Sequence, residues 1–343
     1  MRDRQSSGVA VAATVIALLI VAVLTIGGRT PEDAVVVYCS HDSVYSEEIL
    51  RDFEKQTGIR VIVRFDTEAT KSLGLANQLI AERDSPLCDV FWNNEVLGTM
   101  RLQELGLLEP YRGSGWQRIP AAFKDPMGEW TGFAARLRLY IVNTEQMEAT
   151  PETIARRLDG DLSSMAVAKP LYGTTLTHYA VLWHELGGEE LGRWYRDSRA
   201  RGVVEVDGNA VVKNLVSGGS CDFGWTDSDD FYLAVDDEKP VAMVPVRTPS
   251  GATVCVPNSV AIMRGARHRK RAEQLVDFLL SAEVETRLAN SRSRQIPLGP
   301  VDEQKLPEAV RVLADAARDG VDLNGLREAH AECLNWLLSE YLE

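Results

Sequence analysis

Asp227, Asp229 and Asp230 place three carboxylates within four positions, with Ser228 among them. One Asp or Ser of that group serves as the cap of the helix the segment opens, and acids in a first turn suit the helix dipole. Three carboxylates exceed what a cap needs and repel one another unless a cation or a donor group sits among them. Oxygen ligands of this kind suit a hard cation. Gly173, Thr174 and Thr175 follow a strand and open a helix, so their amides and hydroxyls are placed to hold an anion. Asn209 opens another helix, and at both places a plain cap is compatible with an anion site. Arg136 and Arg138 share one side of an extended stretch by period-2 alternation, to balance carboxylates or to form a solvated face. Cys39, Ser40 and His41 are residue types of acyl transfer, but neighbours on a strand point to opposite faces. No G-x-S-x-G, H-E-x-x-H or G-x-x-x-x-G-K-[ST] occurs, so neither an enzyme nor a catalytic cofactor is expected.

Alternating elements must position these groups. Ala34–Cys39 reads as a buried strand, Ser46–Thr57 as a helix ended by Gly58, Ile59–Phe65 as a strand and Thr70–Arg83 as a helix. Asp89–Trp92 and Glu95–Leu105 repeat the pair. Beyond the extended stretch Gly132–Asn143, a second α/β unit runs through strand Met165–Ala168, helices 174–186 and 189–201, strand 203–206, helix 210–217 and strand Cys221–Trp225. Val241–Val246 and Thr253–Met263 are strand-rich, and His268–Leu280 is helical. This alternation predicts a mostly parallel sheet covered by helices, with ligand chemistry at the carboxyl ends of strands. Residues 306–318 and 323–342 have helical periodicity and form a tail capping a lobe.

The chain has 343 residues, enough for two folded units. Its 37 Lys+Arg against 50 Asp+Glu leave a net charge of −13, which argues against nucleic acid as a partner. Five scattered cysteines without a CxxC pair signal neither zinc nor a disulfide framework. Gly8–Gly28 is uncharged over 21 residues and follows Arg2 and Arg4. It is long enough to span a bilayer, and the Arg pair keeps the N-terminus cytoplasmic and the body extracytoplasmic. Without an A-x-A site it reads as an uncleaved signal anchor over residues 1–30, the alternative being a cleaved signal peptide and a soluble periplasmic body.

"VVVYCSHD", "FEKQTGIRVIVRF" and "CDVFWNNEVLGTMRLQELGLLEPY", then "AKPLYGTTLTHYAVLWHELGGEE", "VDGNAVVKNLVSGGSCDFGWTDSDD" and "VPNSVAIMRGARHRKRAEQLVDFLLSAEVETRLANSRSRQIPL", resemble in order the periplasmic iron(III)-type solute-binding proteins of ABC importers. The likeness runs from about Val35 to Pro300. It implies two α/β lobes joined by crossing strands near 132–143 and 241–246, with the ligand in the interlobe cleft. Residues 34–133 and 258–343 make the first lobe with the tail, and 134–257 the second lobe and hinge strands. The implied function is an extracytoplasmic receptor that binds ferric iron, or a metal–anion complex with a synergistic anion, and presents it to permease subunits as a monomer.

By the same resemblance His41 and a carboxylate near Asn94 and Glu95 are metal ligands of the first lobe, with Ser40 and Asn94 beside the ligand. Glu95 is equally a first-turn acid of its helix. The family's adjacent Tyr pair is replaced by Asp229 and Asp230, with Asp227 just before; a shift of two residues would leave Tyr232 as one phenol. Gly173, Thr174, Thr175 and Asn209 match the anion side, with Arg136 as a balancing charge. The alternative ligand is an organic or phosphorus-containing anion, with the Asp cluster on an amine or a divalent cation.

Overall fold

The apolar run Ala34–Cys39 is buried throughout and forms β1, which pairs in parallel with β3 (Val90–Asn93) through Val37–Val90 and Cys39–Trp92. Strands buried on both faces need helices on each side, and α1 (Ser43–Thr57) supplies one by turning Ile49, Leu50 and Phe53 inward. Gly58, at φ 72°, ends α1 in the left-handed conformation that a side chain disfavours, and its amide reaches the Glu54 carbonyl. β2 (Arg60–Phe65), α2 (Leu73–Ala81), α3 (Leu97–Glu104), β4 (Leu108–Glu109) and α4 (Ser114–Arg118) complete this region. The computed structural model describes residues 34–66 and 73–341. The expected span Gly8–Gly28 lies outside them, and among the described residues no helix is long and apolar enough to cross a membrane.

A single sheet runs β2-β1-β3-β10-β5-β8-β6-β7, with β4 on β10 and β9 on β5. It is mixed, which corrects the mostly parallel expectation. β10 (Cys255–Met263) is antiparallel to β3, β4 and β5, and β5 (Thr131–Asn143) is antiparallel to β8 (Phe223–Asp227) and β9 (Val241–Pro245). β6 (Met165–Ala168) with β7 (Val204–Val206) and β8 repeats the parallel pairing of β1 and β3. The alternation of helix and strand concealed two long antiparallel strands, because nothing in a strand's own composition states its direction.

β5 joins the two halves of the sheet. Its first half pairs with β10, up to Leu137, and its second half, from Arg138, pairs with β8 and β9. Between them Ala134 takes φ 44°, opposite a bulge at Val256/Asn258. The buried Glu285 carboxylate accepts from the Ala134 amide at 2.9 Å and holds this bend. Helices α5 (Pro151–Leu158), α6 (Gly173–Leu186), α7 (Gly188–Ala200), α8 (Asn209–Ser217) and α9 (Ser228–Asp236) surround the second half, and α10 (Arg269–Leu279) and α11 (Ala282–Asn290) return to the first.

The tail was expected with the first-lobe strands. Instead α12 (Glu308–Ala317) buries Leu313 and Ala317 among Leu139, Ile141 and Val212, and α13 (Arg327–Glu340) buries Cys333 and Leu337 among Met165, Tyr179 and Trp225. Leu323 and Leu326, between them, pack with Phe91 and Met100 of the first half. An amphipathic helix shows which face is apolar but not which core receives it.

Candidate ligand-binding cleft

Four helices start around one cavity of about 760 Å³ between the two halves of the sheet. α1, α6, α8 and α9 begin at Ser43, Gly173, Asn209 and Ser228, and at none of these starts does the N-cap residue's side chain bond the first-turn amides. Their partial positive ends favour negative charge in the cavity. Gly173, at φ 61°, makes the turn from which the Thr174 and Thr175 amides follow.

On the second half, the end of β8 is held by an ion pair without solvent. Arg138 is fully buried; its Nη1 donates to Asp227 Oδ1 at 2.8 Å, to Asn209 Oδ1 at 3.1 Å and to Thr174 Oγ1 at 3.4 Å. The other Asp227 oxygen accepts from Thr174 Oγ1 at 2.6 Å and from Asn209 Nδ2 at 3.0 Å. Thr175 Oγ1 donates to Asn209 Oδ1. This network orients Thr174, Thr175 and Asn209 at the cavity wall and satisfies the Asp227 carboxylate from within the protein.

Asp229 and Asp230 are in a different position. Carboxylate oxygens of Asp227, Asp229 and Asp230 lie within 4.8 Å of one another. Asp229 Oδ1 accepts from the Asp230 amide, and Asp230 Oδ2 from Thr226 Oγ1. The cationic neighbour is Arg136, whose Nη1 stands 3.8 Å from Asp229 Oδ2 and whose Nη2 donates to the Asn94 carbonyl. Arg136 therefore links the two sides of the cleft, and its buried Nε has no protein partner. Burial pushes the Asp229 carboxyl up to about 6 against the pull of Arg136, and burial with the charges of Asp229 and Asp227 pushes Asp230 well above the usual carboxylate range.

Of the residues expected from the sequence, Asn94, Arg136, Gly173, Thr174, Thr175, Asn209, Asp227, Asp229 and Asp230 line this cavity. Four stand elsewhere. Glu95 is spent on its own helix: its carboxylate accepts from the Leu97 amide at 2.6 Å, the Gly98 amide at 2.8 Å and Asn93 Nδ2 at 2.9 Å. Glu95 thus stands before the helix rather than in its first turn, with its carboxylate turned to the helix's own amides, and the metal-ligand expectation for it is corrected. The Tyr232 ring packs under the Arg294 guanidinium and its hydroxyl donates to the Ala309 carbonyl, because a two-residue shift along α9 turns the side chain toward the tail. Ser40 is buried, donating to Asp66 Oδ2. His41 is buried, its ring 5.2 Å from the Trp92 ring, with the Gln295 amide donating to Nε2 at 2.7 Å.

Sequence reasoning missed Asp42, Tyr45, Lys169 and Tyr172, which also line the cavity. Tyr45 lines the cavity from α1, and its phenol is pushed up to about 12, by burial and then by the charge of Asp229. Its place in the first turn of α1, directly after His41, was the available signal.

Residues 35–291 match the family model described as bacterial extracellular solute-binding protein. The chain belongs to this family. A Sinorhizobium fredii protein named "probable ABC transporter periplasmic-binding protein" is 26% identical over 254 residues, covering 70% of this chain and 68% of its own. Iron-bound HitA from Pseudomonas aeruginosa superposes with TM-score 0.78 at 21% identity over 89% of this chain and 98% of that one. AfuA from Actinobacillus pleuropneumoniae, with bound fructose-6-phosphate, gives 0.72 at 21% identity over 90% and 98%. These likenesses show the periplasmic-binding-protein fold. The solute-binding protein is a transport protein rather than an enzyme, of a family that acts outside the cytoplasm and partners ABC permeases.

Proposed function

We propose that this solute-binding protein captures ferric iron with an accompanying anion and delivers it to an ABC permease. The carrying observation is the juxtaposition of two cavity-facing carboxylates, Asp229 and Asp230, with four helix starts that lack side-chain caps. The acidic pair offers anionic oxygens to a hard cation, Tyr45 approaches from the other half, and the amides of α6 and α8 receive the anion. About 760 Å³ is far more than one ion needs, which supports a metal–anion complex as cargo. The relatives that bind iron support the same reading.

A phosphorylated organic anion is the second reading, favoured by Arg136 with its unpartnered Nε and by the sugar phosphate in AfuA. In either case we propose that residues 34–133 with 258–306, and residues 134–257 with α12 and α13, act as lobes closing about β5. The body is held at the membrane by Gly8–Gly28, or is released by cleavage.

Thermal unfolding with ferric citrate, ferric phosphate, calcium, magnesium and fructose-6-phosphate tests the choice. A ligand that binds only the folded form at a hundred times its Kd adds about 2.7 kcal/mol of stability. Iron capture requires stabilisation by a ferric complex that Asp229→Asn and Asp230→Asn each weaken. Stabilisation by the sugar phosphate alone, lost in Arg136→Met, would overturn iron in favour of the second reading.

A further inference from the structure

We propose that the pole of the first half where β1 begins is a contact surface for anionic lipid headgroups. The inference rests on the membrane-anchor reading of Gly8–Gly28. Arg264, Arg267, His268, Arg269, Lys270 and Arg271 crowd into eight positions of a chain with net charge −13. They surround the start of α10, where cations oppose the helix dipole and no acid occupies the first turn. Stability of α10 therefore does not account for them. Arg269 is paired with Glu109 and Glu273, and His268 with Asp89. Arg264, Arg267 and Lys270 are exposed and have no carboxylate partner among the described residues.

Apolar groups flank the same surface. Leu105 and Leu87 are 49% and 48% exposed. The Arg264 amide donates to the Leu107 carbonyl at 2.7 Å, two residues from Leu105, and a Cβ on Gly265 would stand 3.6 Å from the Pro86 ring beside Leu87. Exposed leucines among unpaired cations suit an interface of headgroups over acyl chains. Besides Glu109 and Glu273, Glu104 and Asp84 are exposed acids of this surface, and Asp84 has Arg83 at 3.9 Å.

Chain geometry specifies which surface is the partner. Asp89 accepts from the Val36 amide at 2.8 Å and from the His268 amide at 3.0 Å. The start of β1 and the basic loop thus share one carboxylate. Only residues 29–33 separate Gly28 from Ala34, a reach of no more than about 20 Å. A bilayer-embedded Gly8–Gly28 keeps this pole within reach of the headgroups. The cleft residues Asp42 and Asn94 follow the other ends of β1 and β3, so lipid contact here leaves the cleft open to solute.

The test uses the full chain in nanodiscs of POPC with 30% POPG and of POPC alone. The five native cysteines are buried, so Ser85→Cys accepts a single fluorophore, read by quenching from headgroup spin-labelled lipid. Quenching is expected in POPG discs, and it should fall in 0.5 M NaCl. Arg264→Glu with Arg267→Glu and Lys270→Glu should reduce the contact equilibrium roughly ten-thousandfold, at about fivefold for each of the six units of charge changed. The triple Gln variant guards against misfolding and should show a smaller loss. Equal quenching in POPC discs, or quenching unchanged by either variant, overturns the surface while leaving the anchor standing. A chain not retained in the discs overturns both. Protection that rises with protein density and ignores lipid charge assigns the face to a second copy and also overturns the proposal.

Discussion

Replacing Arg138 by Met isolates the buried ion pair behind the cleft. Arg138 is fully buried and the side chain of its partner Asp227 is 4% exposed, with 2.8 Å between Nη1 and Oδ1. Deleting one member of such a pair leaves an uncompensated charge in a low-dielectric interior, at a cost of about 3–5 kcal/mol. That is a large share of the roughly 5–15 kcal/mol by which a domain is stable. Two Arg138 nitrogens, Nε and Nη2, have no protein partner, so the guanidinium's desolvation is only partly offset. The apolar double variant Arg138→Met/Asp227→Leu is therefore expected to lie closer to wild type than Arg138→Met or Asp227→Leu alone. Urea denaturation followed by tryptophan fluorescence reads this directly, since Trp225 lies two residues before Asp227 and stacks on Trp194 at 5.3 Å. The half-exposed pair Arg247–Asp319 is the control, at no more than about 1 kcal/mol. A loss for Arg138→Met as small as the control's would refute the reasoning, and so would a double variant worse than the sum of its singles.

Glu95→Gln should cost about 1–2 kcal/mol, because the Leu97 and Gly98 amides bond different carboxylate oxygens and Gln puts an NH2 donor in place of one, yet leave ligand-induced stabilisation unchanged. Lost affinity without lost stability, measured by the same titrations, would return Glu95 to the ligand set. His330 on α13 is held down to about 4, by burial and then by the charge of Arg101. Its folded form stays neutral while the unfolded chain takes up a proton near 6.5, so its contribution is present above pH 6.5 and is lost as pH falls toward 4. The unfolding midpoint should drop over that window, less steeply in His330→Gln; parallel pH profiles would contradict this.

Much of the fold was legible because periodicity is local. β1, β6, α8 and β9 fall within a residue or two of their expected bounds, since alternation and capping act over a few neighbours. Strand direction and the tail's place depend on partners a hundred residues away. The site divided along the same line. Gly173, Thr174, Thr175, Asn209 and the Asp cluster stand at helix starts, and a helix start is visible in sequence. Tyr45 and Asp42 reach the same cavity from another element, which spacing does not show.

Glu95 marks the boundary between the two kinds of information. Its type and its position two residues before α3 allow both a metal ligand and a cap, and only the amides that close on its oxygens decide. For the chain as a whole, residue order determined the α/β alternation, the ordered family pattern and the clustering of Asp227, Asp229 and Asp230. Tertiary structure decided that Asp227 is consumed by Arg138, Thr174 and Asn209 while Asp229 and Asp230 face the cavity. The reason is physical: a carboxylate's role depends on which donors desolvate with it, and those donors come from β5, α6 and α8, which meet only when the sheet closes.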